Sequence, residues 1–197
     1  MKYLFIDIDG VLINGFHYNK NKGIKWYENI DRDLGITYEQ INPFFESRDF
    51  MSALIGKKDL KIVVGKYFER NNIYLDVKEF IDYWFENDSH LNKNVLNTIN
   101  RIKVDKKYLV TIQEKYRANY LWEVIDLKQY FDGMLYSGDI GYLKDDTRFY
   151  SSINQKLGIN LMKDSVSYFD DNPKFVQMAN KCGWNSWVFE GDIQDSM

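Results

Sequence analysis

The chain has 197 residues, enough for one well-packed core or for one domain carrying a smaller insertion. Charged residues make up 28% and the net charge is −3, which excludes a general positive field for nucleic acid or an anionic membrane surface. Cys182 is the single cysteine, so no internal disulfide can form and a cytoplasmic setting is expected. The chain enters an apolar run at once, with no basic segment leading into an apolar stretch, so no signal peptide is expected. No run approaches the roughly 18 apolar residues that a spanning helix needs.

Tyr3 to Ile6 is short, apolar and β-prone, and reads as a strand buried on both faces. It runs into Asp7, Asp9 and Gly10. A polar, glycine-punctuated stretch from Asn14 to Gly23 follows and reads as a hairpin or flap. From Trp26 to about Asn87 the pattern is helical. Trp26, Ile30 and Leu34 end at Gly35, and Thr37 with Gln40 makes a capping box, after which Pro43 is expected to interrupt the segment. Leu60, Val63, Val64, Tyr67 and Phe68 share one helix face, as do Val77, Phe80, Ile81, Trp84 and Phe85 behind the cap residue Asp76.

Helix and strand then alternate. Helices are expected around Val95–Ile102, Tyr120–Ile125, Phe149–Leu157 and Asn172–Ala179, and strands at Tyr108–Ile112, Met134–Tyr136, Val166–Phe169 and Trp184–Phe189. That order implies an α/β fold, a doubly wound parallel sheet covered on both sides, with a helical insertion after the first strand. The implied division is a core of residues 1–14 and 88–197 and a helical cap of residues 15–87.

Polar residues recur where the expected strands end. They are Asp7 and Asp9, then Thr111, then Ser137 followed by Lys144, then Asp170 and Asp171. In a parallel sheet these ends lie along one edge, where open α/β folds bind ligands. Carboxylates so close together repel each other and call for a hard divalent cation. Carboxylates, a hydroxyl and an ammonium together suit the binding and attack of a phosphate group.

Asp7-Ile8-Asp9-Gly10-Val11-Leu12 resembles the first motif of the haloacid dehalogenase-like (HAD) superfamily. Thr111 matches its second motif, Lys144 in Gly141-Tyr142-Leu143-Lys144 its third, and Phe169-Asp170-Asp171-Asn172 its fourth. The insertion's place corresponds to the family's first cap type, and the layout resembles the family's small sugar-phosphate phosphatases. The resemblance implies that Asp7 is a nucleophile forming an aspartyl-phosphate and that Asp9 is the general acid and base. It further implies Mg²⁺ held by Asp7, the Asp9 carbonyl and the pair Asp170/Asp171. Counting back from Ala179 and Gly183 favours Asp171 within that pair. Thr111 and Lys144 would bind the phosphoryl group of a small phosphorylated metabolite. Dehalogenases of the family lack the second aspartate, so Asp9 favours phosphoryl transfer. A phosphomutase, or a catalytically silent binding relative, is the alternative.

Two positions depart from the family pattern: Asp145 stands where proline usually follows the lysine, and Ile112 where asparagine is common. His17 lies in the expected flap, His90 at no strand end, and Cys182 at a helix end where it suits packing. Gly56-Lys57-Lys58, between cap helices, is either a solvated helix start or a contact to a second charged group on the substrate.

Overall fold

The computed structural model describes residues 1–19, 22–191 and 193. Lys20 and Asn21, at the tip of the expected flap, lie outside the described residues. The elements follow in chain order. Strand β1 (Lys2–Ile6) leads to helices α1 (Ile30–Leu34), α2 (Tyr38–Phe45), α3 (Arg48–Leu54), α4 (Leu60–Arg70), α5 (Val77–Asn87) and α6 (Lys93–Arg101). Next come β2 (Lys106–Thr111), α7 (Lys115–Asn119), β3 (Gly133–Tyr136), α8 (Ser137–Ile140), α9 (Thr147–Leu157), β4 (Ser165–Asp170), α10 (Pro173–Lys181) and β5 (Asn185–Val188).

All five strands are parallel, in the order β3-β2-β1-β4-β5. Strand β1 is therefore central: the chain builds outward from it through β2 to β3, then crosses back to its other side for β4 and β5, and this reversal opens a crevice at the C-terminal end of β1. Side chains alternate across the sheet. Leu4 and Ile6 pack with Ile99 of α6 on one face, and Tyr3 and Phe5 with Tyr150 and Ile153 of α9 and Ala179 of α10 on the other. Phe5 is fully buried, a contribution of about 1.5–3 kcal/mol for such a side chain.

Helices α1 to α5 carry a separate apolar cluster, with Phe44, Val64, Phe80 and Trp84 at its centre. The expected caps are present. Thr37 and Gln40 form a reciprocal capping box, Asp76 accepts from Glu79 N at 2.9 Å, and Gly35 closes α1 with φ 68°. Pro43 does not interrupt α2. It lies near the helix end, where the ladder loses a single bond before the chain turns at Glu46.

Three elements differ from expectation. The stretch after β1 forms no hairpin among its described residues. It is an irregular loop, tied down where Asn14 N–H donates to His90 O at 2.8 Å and Ile24 N–H to Asn14 O at 2.7 Å. The helix expected at Tyr120 starts earlier, at Lys115, because Glu114 caps it by accepting from Tyr116 N at 2.7 Å and Arg117 N at 2.5 Å. It then loosens into a π-helical turn, Tyr120–Val124. The turn of helix α8 follows β3 directly.

Candidate active site

Asp7 follows the last residue of β1, Thr111 ends β2, Asp170 ends β4 and Asp171 comes next, so the parallel register brings these groups to one sheet edge. Lys144 reaches them from the loop between α8 and α9. It is 1% exposed, and its ammonium lies 2.7 Å from Asp7 Oδ1 and 2.9 Å from Asp170 Oδ2. Asp7 Oδ1 also accepts from Ile8 N at 2.7 Å. One carboxylate oxygen from each of Asp7, Asp170 and Asp171 lies within 4.8 Å of the others.

The charges do not balance locally. Three carboxylates face one ammonium, and burial pushes Asp7 well above the usual carboxylate range, with Lys144 pulling it back and Asp170 and Asp171 adding to the rise. Burial likewise lifts Asp171 to about 6, against the Tyr18 N–H that bonds it. Burial works against the Lys144 charge, but Asp170 and Asp7 outweigh it and hold the ammonium above its ordinary value. The cluster is short of positive charge by an amount a divalent cation would supply, and its donors are all hard oxygens, so the residues present fit Mg²⁺.

Within the acidic pair the two residues differ. Asp170 is fully buried and both oxygens are engaged: Oδ2 with Lys144 and the Tyr168 hydroxyl, Oδ1 with Asn172 N at 2.8 Å. Asp171 accepts from Tyr18 N at 2.6 Å through Oδ2, and His17 Nδ1 is 3.2 Å from the same oxygen. The hydrogen bond to Asp171 thus comes from a backbone N–H of the loop after β1, since His17 Nδ1 itself accepts from Asn19 N at 2.9 Å, whereas Asp170 is held by Lys144, Tyr168 and Asn172 N. Gly10 is the close neighbour of this carboxylate. Its φ is +79°, and a Cβ there would stand 2.3 Å from Asp171 Oδ2.

The Asp9 side chain lies apart from the cluster. Gln113 Nε2 donates to its Oδ2, and Arg117 Nη2 lies 3.2 Å from its Oδ1. Sequence reasoning missed Gln113, Arg117 and Tyr168. Gln113 lies two residues past Thr111, in the loop where β2 leaves the sheet, a position that invites a site residue. Nothing in the sequence marked Arg117 as buried, since arginine is usually exposed.

The remaining candidates fall as follows. Thr111 is 1% exposed at the sheet edge. The Ser137 hydroxyl is turned from the carboxylates and donates to Leu54 O of α3 at 2.6 Å, joining the inserted helices to the core. Asp145 is exposed, and Lys144 points instead to Asp7 and Asp170. His90 is exposed, and Cys182 is half-buried beside the α9 and α10 cluster. Gly56 packs against Gly138, while Lys57 and Lys58 line a separate cleft with Lys66 and Arg70.

The sheet order, the acidic crevice and the inserted helices together are the HAD-like fold, and this chain has it. Among solved structures it superposes on a HAD family enzyme from Bacteroides thetaiotaomicron in complex with magnesium and inorganic phosphate (TM-score 0.77, 16% identity, 100% of this chain and 98% of that one). It also superposes on a predicted HAD-like family hydrolase from Porphyromonas gingivalis (TM-score 0.75, 17% identity, 95% and 90%) and, more loosely, on a HAD phosphatase from Thermococcus onnurineus (TM-score 0.56, 19% identity, 100% and 91%). No family model matches the sequence, and no curated protein does. Among the described residues no helix is long and apolar enough to cross a membrane.

Proposed function

We propose that this chain is a Mg²⁺-dependent phosphoric monoester hydrolase that acts on a small phosphorylated metabolite, such as a sugar phosphate, through an aspartyl-phosphate. The observation that carries the reading is the buried group of Asp7, Asp170 and Asp171 around Lys144. The magnesium and phosphate in the Bacteroides thetaiotaomicron structure support it.

Asp7, Asp171 and the Asp9 carbonyl would hold the ion, with Asp170 setting Lys144 and Tyr168 behind them. When bound, the ion supplies charge against the phosphoryl oxygens. Thr111 and Lys144 bind those oxygens. A carboxylate oxygen of Asp7 attacks phosphorus, the ester P–O bond breaks, and its electron pair leaves on the substrate oxygen, which takes a proton from Asp9. Asp9, now ionised, accepts a proton from water as that water attacks phosphorus. The P–O bond to Asp7 breaks, and inorganic phosphate and free Asp7 result. The inserted helices α1 to α5, the cap of this reading, would cover the crevice and choose the leaving group.

A panel of phosphorylated metabolites incubated with the protein and Mg²⁺ and assayed for free phosphate tests the reading. Release that stops on chelation supports it. Transfer between sugar hydroxyls without release would make the protein a phosphomutase. No turnover of any substrate would leave a silent binding relative.

A further inference from the structure

The hydrolytic reading leaves one buried group unexplained. Arg117 is 2% exposed, and a buried guanidinium is costly unless its partners return the lost hydration. Nη2 is shared, donating to Asp88 O at 2.7 Å and to Asp9 Oδ1 at 3.2 Å. Nη1 is 3.1 Å from Asp88 Oδ2, close as a charge pair though not aligned as a hydrogen bond. The guanidinium also lies over Trp84 and Phe85, 5.9 and 5.8 Å from the ring centroids.

Asp88 is the residue at which α5 ends and the inserted helices rejoin the core. Trp84 Nε1 donates to its Oδ2 at 3.2 Å. The loop after β1 presses on it as well, since a Cβ at Gly15 would be 2.1 Å from Asp88 Oδ1. One guanidinium on α7 therefore joins Asp9 to Asp88 at the end of α5, and Asp88 in turn touches Gly15 of the loop after β1. Gln113 completes the grip. With Arg117 on Oδ1 and Gln113 on Oδ2, both oxygens of the least buried site aspartate are held.

We infer that Arg117 and Gln113 are positioning residues for Asp9, and that Asp88 ties the setting of this acid to the junction between the inserted helices and the core. The inference rests on the hydrolytic reading. Asp9 must deliver its proton to the leaving oxygen along one line, and a carboxylate held by two donors from one loop and helix is orientated before substrate arrives. A lysine at 117 would keep the charge but lose the fork that reaches Asp9 and Asp88 together.

The test compares kcat/KM, which reports steps through leaving-group departure, for phenyl phosphate and 2,4-dinitrophenyl phosphate. The dinitrophenolate departs without a proton; phenolate needs one. Gln113→Leu and Arg117→Lys should each lower kcat/KM for phenyl phosphate at least about tenfold more than for dinitrophenyl phosphate, a part of the 10²–10⁴ that general acid catalysis provides. Gln113→Leu alters little volume and leaves the backbone carbonyl that Ser137 and Gly138 use, so it decides alone if Arg117→Lys does not fold. Equal losses on both substrates, or none on either, would overturn the positioning role. If the unaltered protein with Mg²⁺ hydrolysed neither ester, the hydrolytic reading would fall first.

Discussion

Replacing Lys144 by methionine keeps most of the side-chain volume and removes the charge between Asp7 and Asp170. The described ion pairs of both carboxylates run to this one ammonium, at 2.7 and 2.9 Å, and the pair side chains are 9% and 0% exposed. Some support survives: Ile8 N–H still meets Asp7, and the Tyr168 hydroxyl and Asn172 N–H still meet Asp170. Breaking a buried pair by removing one partner costs about 3–5 kcal/mol. For a chain of this length that lowers Tm by about 6–20 °C. Thermal melts of both proteins in chelator at neutral pH measure it. Acidifying to about pH 5 should narrow the gap, because Asp7, already raised by burial and now without its ammonium, then takes up a proton. A Lys144→Met protein that melted within about 2 °C of the parent at neutral pH, or a gap that widened on acidification, would refute this account of the site.

Two further outcomes follow from the same geometry. Gly10→Ala would set a Cβ 2.3 Å from Asp171 Oδ2 and strain a backbone at φ +79°. It should cost about 1–2 kcal/mol of stability and about 10–100-fold in Mg²⁺ affinity by calorimetric titration, and an unchanged affinity would sink the placing of Asp171 as ligand. The third concerns pH. Asp171 is lifted to about 6 and Asp88 to about 7, both chiefly by burial, and Asp7 is raised as well. Each folded group keeps a proton its unfolded counterpart has lost, so in metal-free protein their stabilisation is full below about pH 4 and is lost as pH rises through 6 and 7. Mg²⁺ should therefore raise Tm more at about pH 8 than at about pH 5, and a rise of equal size at both would contradict the assignment.

Much of this was legible in the chain because local chemistry and topology agree. Apolar runs such as Tyr3–Ile6 and Val166–Phe169, each followed by acidic residues, mark buried strands whose ends meet at one edge, so Asp7, Asp170 and Asp171 could be grouped across more than 160 residues of sequence. Helix α4 announced itself by period, and α5 by period and cap. What stayed hidden depends on tertiary placement. Glu114 is not a residue one expects as an N-cap, so the start of α7 was misplaced and Arg117 with it. Ser137 has the right position for a site residue, yet its hydroxyl finds a carbonyl of the inserted helices first. The loop after β1 has too many polar residues for any alternation to show its course, and its hold on Asp171 through Tyr18 N–H is a backbone contact that no side-chain pattern encodes.

The central claim is that Asp7 becomes covalently phosphorylated. Mixing protein, Mg²⁺ and a substrate found in the metabolite panel, quenching in acid during turnover, and mass-mapping the peptides tests it directly. One phosphoryl group should appear on the peptide that carries Asp7 and vanish in Asp7→Asn, which removes the nucleophile with little change in volume. Continued phosphate release by a folded Asp7→Asn protein, or a phosphoryl group on any other residue, would contradict the mechanism.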